Sequence, residues 1–311
     1  MAEKRVSYRR VQKLGTSSLV VTLPKEWTLR VGLKPGDNVM VVDEGSWLRI
    51  VPSEYAGEVS VPVKLDASRL PVCVSRLVSC AYMMRLDEVV VAGVDAMEAL
   101  KAKSLAAKLM GAEVLSVDNA LLFRVMLDDS RVHAEDMVRE AAHIAVELIG
   151  LVERLLEEPS QQLVQLAREA YNEIVKYEHL AVRRLTGSIP GPEQARVYAA
   201  AILGDVAADL WSLANMVASL IETRGRVEAG DRVRGLLGET AKLLEKLPNA
   251  KSVEEFSSLS KEAERLRMES YRATLDAEKP VEAAIAATLH HALRYLTVAI
   301  DALLCTRLVQ K

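Results

Sequence analysis

Turn-forming residues cut the first fifty-odd positions into pieces too short to fold alone. Gly15 parts a basic strand, Arg5 to Leu14, from a second strand, Leu19 to Leu23. Pro24 stands where a helix can begin, because its missing N–H is not needed there, and Gly32 ends that single turn. Pro35-Gly36-Asp37 marks a tight turn before Asn38 to Val42. Asp43-Glu44-Gly45 then reverses the chain into Trp47 to Val51. Four short strands around one helical turn leave most of their surface wet. The segment needs a second copy of itself to make a core.

Charge is distributed unevenly. Residues 1 to 36 hold eight Lys and Arg against Glu3 and Glu26, a net +6, whereas the whole chain carries −3, so the remainder sums to −9. Such asymmetry points to a polyanion-binding arm on a body that repels polyanions. Strand alternation puts Arg5, Arg9 and Lys13 on one face and Lys4 and Arg10 on the other. The same residues would also guard an edge strand against aggregation, so the pattern alone leaves both readings open. The turn glycines, the Leu-Pro-Lys-Glu-Trp segment and the Gly-Asp turn, in that order, resemble the AbrB/SpoVT/MazE swapped-hairpin family over roughly residues 6 to 52. That resemblance implies a homodimer whose interleaved chains form one small β-barrel and bind DNA. Arg5, Arg9, Arg10 and Lys13 are the candidate DNA contacts, chiefly to phosphates.

At 311 residues the chain should form two or three domains. Half its residues are hydrophobic and 27% charged, an ordinary soluble composition, and only 4% are aromatic, which suits bundles packed by Leu, Val and Ala. With no basic-then-apolar leader and no uninterrupted apolar stretch long enough to span a bilayer, a cytoplasmic protein without membrane insertion is expected. Cys73, Cys80 and Cys305 lack metal-ligand spacing. Cys73 and Cys80, seven apart on an expected helix, should pack as small apolar residues.

From Glu58 to Asp128 the period alternates between strand and helix. Val59 to Leu65 reads as a strand, Ser68 to Leu86 as a helix, and Val89-Val90-Val91 as a short buried strand. Asp95 is a good N-cap for a helix that Gly111 stops, and Val114 to Leu127 reads as a hairpin. The order βαβαββ predicts a small α/β sandwich, one layer of helices on one sheet. Ala92-Gly93-Val94 has one glycine where a dinucleotide fingerprint requires three. A spacer or dimer-stabilising module is favoured over a ligand sensor.

Beyond Val132 the pattern is helical. Six helices are punctuated by Pro159, by Gly187 to Pro192, by Gly225 and Gly230, by Pro248-Asn249 and by Pro280. Two successive groups of three antiparallel helices describe a pair of three-helix bundles. This region resembles the PhoU family of phosphate-uptake regulators, and the whole order of modules resembles the archaeal PhoU-related regulators. The expected fold is therefore multidomain and mainly α: a swapped-hairpin domain at 1–55, an α/β domain at 56–129 and a PhoU-like helical domain at 130–311.

The PhoU resemblance implies a metal site. Family bundles carry an acid, three spacers and an Asp on the third helix of each repeat, and in some members these hold a metal cluster. Leu203-Gly204-Asp205-Val206-Ala207-Ala208-Asp209 fits that pattern, whereas Leu289-His290-His291-Ala292-Leu293-Arg294 on the sixth helix lacks the acids. Asp205 and Asp209, four apart, share one helix face and need a partner if partly buried. Glu178 could serve as a third oxygen ligand for Fe, Mn, Mg or Zn. Arg183 and Arg184 could instead satisfy both Asp residues as ion pairs. His143 and Glu147 form a weaker pair, and the adjacent His290 and His291 point about 100° apart, so they cannot chelate one ion. No Ser or Cys has a plausible His–Asp arrangement, so no enzyme is expected.

The leading expectation is a homodimeric DNA-binding regulator of phosphate uptake, its helical half sensing phosphate status or a phosphate ABC transporter component. The alternative is an adaptor that regulates such a transporter by protein–protein contact without binding DNA. An antitoxin-like protein whose helices cover a toxin ranks last, because this helical half is long and self-packing.

Overall fold

The computed structural model describes residues 8–43, 48–52, 63–69, 73–117, 120–128, 131–158, 160–186, 192–224 and 229–308. Contacts divide the chain into two units, residues 1–61 and 62–311.

In the first unit β1 (Gln12–Leu14) pairs antiparallel with β2 (Ser18–Val20), and β3 (Val39–Asp43) with β4 (Leu48–Pro52). Between the ribbons lies α1 (Lys25–Arg30), which buries none of its side chains. Gly15 turns the first ribbon at φ +67, and Gly36 the next bend at φ +95, backbone that a side chain resists. The first strand is shorter than its basic pattern suggests, since residues 8–11 are not paired, and Arg5 lies outside the described residues. The two ribbons form separate sheets. Among the described residues of this unit only Pro52 is buried. Leu14, Leu19, Leu29 and Leu48 are each more than three-fifths exposed.

The second unit opens with a four-stranded sheet in the order β5-β6-β8-β7: β5 (Val63–Asp66), β6 (Glu88–Ala92), β7 (Ala112–Val117) and β8 (Ala120–Val125). The β5–β6 pair is parallel and the other two pairs are antiparallel. Helices α2 (Val74–Met83) and α3 (Ala96–Ala106) cover one face, packing with Val89, Val91, Leu121 and Phe123. This is the βαβαββ order. Asp95 caps α3 by accepting from Glu98 N–H at 2.8 Å. Gly111 turns the chain at φ +70, and a Cβ there would lie 2.5 Å from that of Leu127, so no other residue fits. The helix expected from Ser68 begins only at Val74, while Ala67–Arg69 form a single 3-10 turn. Cys73 and Cys80 are exposed rather than packed inside. Cys73 instead caps α2, where a hydrogen bond from the Ser75 hydroxyl, then one from the Arg76 backbone N–H, hold its thiol below the ordinary range.

Six helices follow: α4 (Ala134–Glu157), α5 (Gln161–Leu185), α6 (Pro192–Arg224), α7 (Asp231–Lys246), α8 (Val253–Asp276) and α9 (Pro280–Leu308). Ser252 starts α8 with a reciprocal capping box to Glu255, and Pro280 occupies the first position of α9, where its missing N–H costs nothing. Helix α6 packs against α4, α5 and α9, and α9 against α6 and α8. The buried positions of these two helices repeat at an interval of 86: Ala199, Leu203, Val206, Leu210, Leu213 and Val217 correspond to Ile285, Leu289, Ala292, Leu296, Ala299 and Leu303. Against the expectation of no bilayer-length apolar stretch, α6 and α9 are long and apolar enough by length and composition. Both are the central helices of this six-helix core, which uses their apolar faces.

Helix α5 joins the helices to the α/β layer. Arg183 is only 3% exposed. Its guanidinium donates to the Tyr82 carbonyl at 3.0 Å and to the Asp87 carboxylate, and lies 5.2 Å from the Tyr82 ring centroid. Arg184 donates to the Val132 carbonyl and to Glu193.

Candidate functional site

Two places carry the chemistry expected from the sequence. The first is the basic ribbon. Arg9 and Arg10 precede β1 and Lys13 sits within it, paired opposite Leu19, and all three are exposed. Arg9 reaches only the neighbouring Tyr8 carbonyl, at 3.4 Å. Arg10 and Lys13 have no partner among the described residues. Lys25, Arg30 and Lys34 add exposed positive charge from α1 and the loop after it. In that loop Asp37 accepts from the Lys34 backbone N–H at 2.6 Å, which pins the turn. Cations left in water, unmatched by carboxylates on their own ribbon, suit a polyanion.

The second place is acidic and lies along α6, where it packs against α5 on one side and α9 on the other. Burial, then the charge of Asp205, pushes the Glu178 carboxyl up to about 7. Burial and the neighbouring Asp209 raise Asp205, which His291 partly offsets. Glu178 comes this close because position 204 is glycine: a Cβ there would stand 2.8 Å from the Glu178 Cγ. Gly in a helix interior costs about 1 kcal/mol relative to Ala, and here it lets α5 pack tightly on α6. Tyr171 stacks on Trp211 at 5.8 Å, its phenol raised by burial and then by Glu178 and Asp205.

The ion-pair alternative for the two Asp residues is not what the fold makes. Asp209 pairs with the His291 Nδ1 at 2.8 Å, across 82 positions of sequence, and Arg183 and Arg184 turn to the partners already described. His291 also meets the edge of Tyr295 at 5.1 Å, and the Arg294 guanidinium lies 5.0 Å from the same ring. His290 bonds the Arg267 carbonyl, and the exposed His143 and Glu147 lie apart from this site on α4. Oxygen-rich donors suit hard metals. Yet among the described residues no three His, Cys, Asp or Glu side chains are grouped to hold an ion. The arrangement of Glu178, Asp205 and Asp209 therefore does not fit the expected metal as it stands. Sequence reasoning missed His291 as a partner and Gly204 as the cause of the close approach. The 86-residue interval would have placed His291 at the position equivalent to Asp205.

A family model described as antidote-toxin recognition MazE, bacterial antitoxin, matches residues 12–57. This stretch is a MazE-type domain. It takes in both ribbons and α1, and the segment between the two paired strands of each ribbon. No curated protein and no solved structure matches the chain significantly.

Proposed function

We propose that this chain is a homodimeric, cytoplasmic DNA-binding regulator of phosphate uptake that performs no catalytic step. Domains of the MazE type typically dimerise and bind DNA. The observation that carries the reading is the matched segment itself, whose described residues combine exposed Lys13, Lys25, Arg30 and Lys34 with almost no buried core, just after exposed Arg9 and Arg10. Dimerisation would bury Leu14, Leu19 and their neighbours and double the positive surface, matching a two-fold duplex site. Arg9, Arg10 and Lys13 would contact phosphates; Arg5 is assigned the same role from its sequence position. For the helical half, the repeated burial interval of α6 and α9 and the Asp205–Asp209 spacing support a PhoU-like sensor of phosphate status or of a phosphate transporter component.

Salt-dependent DNA titration of the full chain tests this. Tight binding that weakens with salt is expected, with the slope falling by about one for each phosphate contact removed in Arg9→Ala/Arg10→Ala. No binding at low salt would favour the adaptor reading, in which the first unit only dimerises. One observation favours that alternative: the exposed large apolar side chains of the helical half (Leu166, Tyr198, Met268, Tyr271, Leu275 and Val298) sit on α5, α6, α8 and α9, none on α4 or α7.

A further inference from the structure

The α/β sheet has one face covered by α2 and α3 and one that no other described element of its unit covers. Strand pairing places three rows of side chains on the open face. The middle row runs Lys64, Val90, Leu122, Leu115; one flank runs Asp66, Ala92, Ala120, Val117; the other runs Glu88, Arg124, Glu113. Val90 and Leu122 are partly exposed, Leu115 36% and Val117 47% exposed. Six of the eight side chains in the first two rows are Val, Leu or Ala without a covering element among the described residues, an arrangement that sheets normally resolve by packing face to face.

We propose that this face stacks on the same face of a second copy, a second contact within the dimer read from the N-terminal domain and resting on that reading. The rows select the geometry. Strand order β5-β6-β8-β7 has its centre between β6 and β8. A two-fold axis parallel to the strands there lays β6 over the partner copy's β8. Glu88 then meets the other copy's Arg124, twice, and Val90 meets Leu122, twice. Glu88 is exposed and has no ion-pair partner among the described residues, while Arg124 is engaged on one side by Glu113. An axis across the strands would instead set Glu88 over Ala92, with no charge of the second copy opposite it, which disfavours it.

Size explains why the contact needs the first unit. Four strands about 4.8 Å apart, over about five residues rising 3.4 Å each, give a face of roughly 300 Å² and a stacked pair of roughly 600 Å². A free-standing interface takes about 1,200 Å² or more. Joined to a domain that already dimerises, the weak face acts at a millimolar effective concentration rather than a free one.

The test uses the full chain with Cys73, Cys80 and Cys305 replaced by Ser and a single Ala92→Cys on the open face. Sheets stacked about 10 Å apart bring the two thiols within reach of a short bismaleimide. A covalent dimer is expected, its yield falling about tenfold in Glu88→Arg and recovering in Glu88→Arg/Arg124→Glu. If the double variant fails to fold, Glu88→Arg decides alone, because Glu88 is exposed. A chain that sediments as a dimer but does not crosslink, or crosslinks regardless of Glu88→Arg, overturns the stacked face and leaves the N-terminal dimer standing. A chain that sediments as a monomer overturns both.

Discussion

The two units differ in how much of themselves they bury. In residues 8–52 a single proline is buried among the described positions, and leucines face water. In residues 62–311 one apolar cluster runs through all six long helices and a second lies under the sheet. The helical unit holds its stability within one chain. The described residues of the ribbon unit show no such reserve, which the proposed dimer would supply. On the proposed reading, this division separates a body whose core lies within one chain from an arm whose structure is a binding event.

Substitutions on the two sides of that division should behave differently. The largest effect belongs to the helical core: Leu210→Ala, at a fully buried site, should cost about 3 kcal/mol by urea unfolding at any protein concentration. A midpoint that moves with concentration would show that this unit too depends on a partner. Next, Gly204→Ala should destabilise by roughly 2 kcal/mol, since the new Cβ would overlap the stem of Glu178. An unchanged midpoint would mean that α5 and α6 shift apart without strain. Glu178 gives an effect of similar size with a pH signature. Its folded carboxyl sits at about 7 against an ordinary 4.5, so the folded state binds the proton more tightly than the unfolded chain. Stability therefore falls as pH rises from about 4.5 to 7 and levels off above. Glu178→Gln should flatten that decline and be roughly 2 kcal/mol more stable than the parent at pH 8; parallel pH profiles would contradict this.

Smaller effects sharpen the contrast in the arm. Leu19 is 73% exposed in one chain, so Leu19→Ser should leave a lone chain unaffected. It should weaken a dimer by about 1.5 kcal/mol, read as a roughly tenfold rise in the dissociation constant by sedimentation. Least of all, Asp209→Asn should shift the midpoint by under about 1 kcal/mol, because its pairing with His291 is partly exposed.

Much of the architecture was legible because local signals coincide with element ends. Gly111, Asp95, Ser252 and Pro280 each act within a few residues of their own position, and a single sequence displays them. The βαβαββ order followed from changes in period. What escaped was set by distant neighbours. Arg183 finds Tyr82 and Asp87 some hundred positions away, and Asp209 finds His291 instead of the nearby arginines. The cysteines were misjudged for the same reason, since helical spacing shows which residues share a face but not which face turns inward. Glu178 was legible as an acid near Asp205 and Asp209; its elevated proton affinity depends on Gly204, whose role appears only when two helices touch.

The 86-residue interval has a consequence for how this molecule can change over generations. Two helices that hold the same interior with interchangeable frameworks need not keep the same outer chemistry. Here positions 205 and 209 hold carboxylates, while the equivalent positions 291 and 295 hold imidazole and phenol. Each surface is thus free to vary while its twin preserves the scaffold, and the meeting of Asp209 with His291 brings the two outer chemistries into contact.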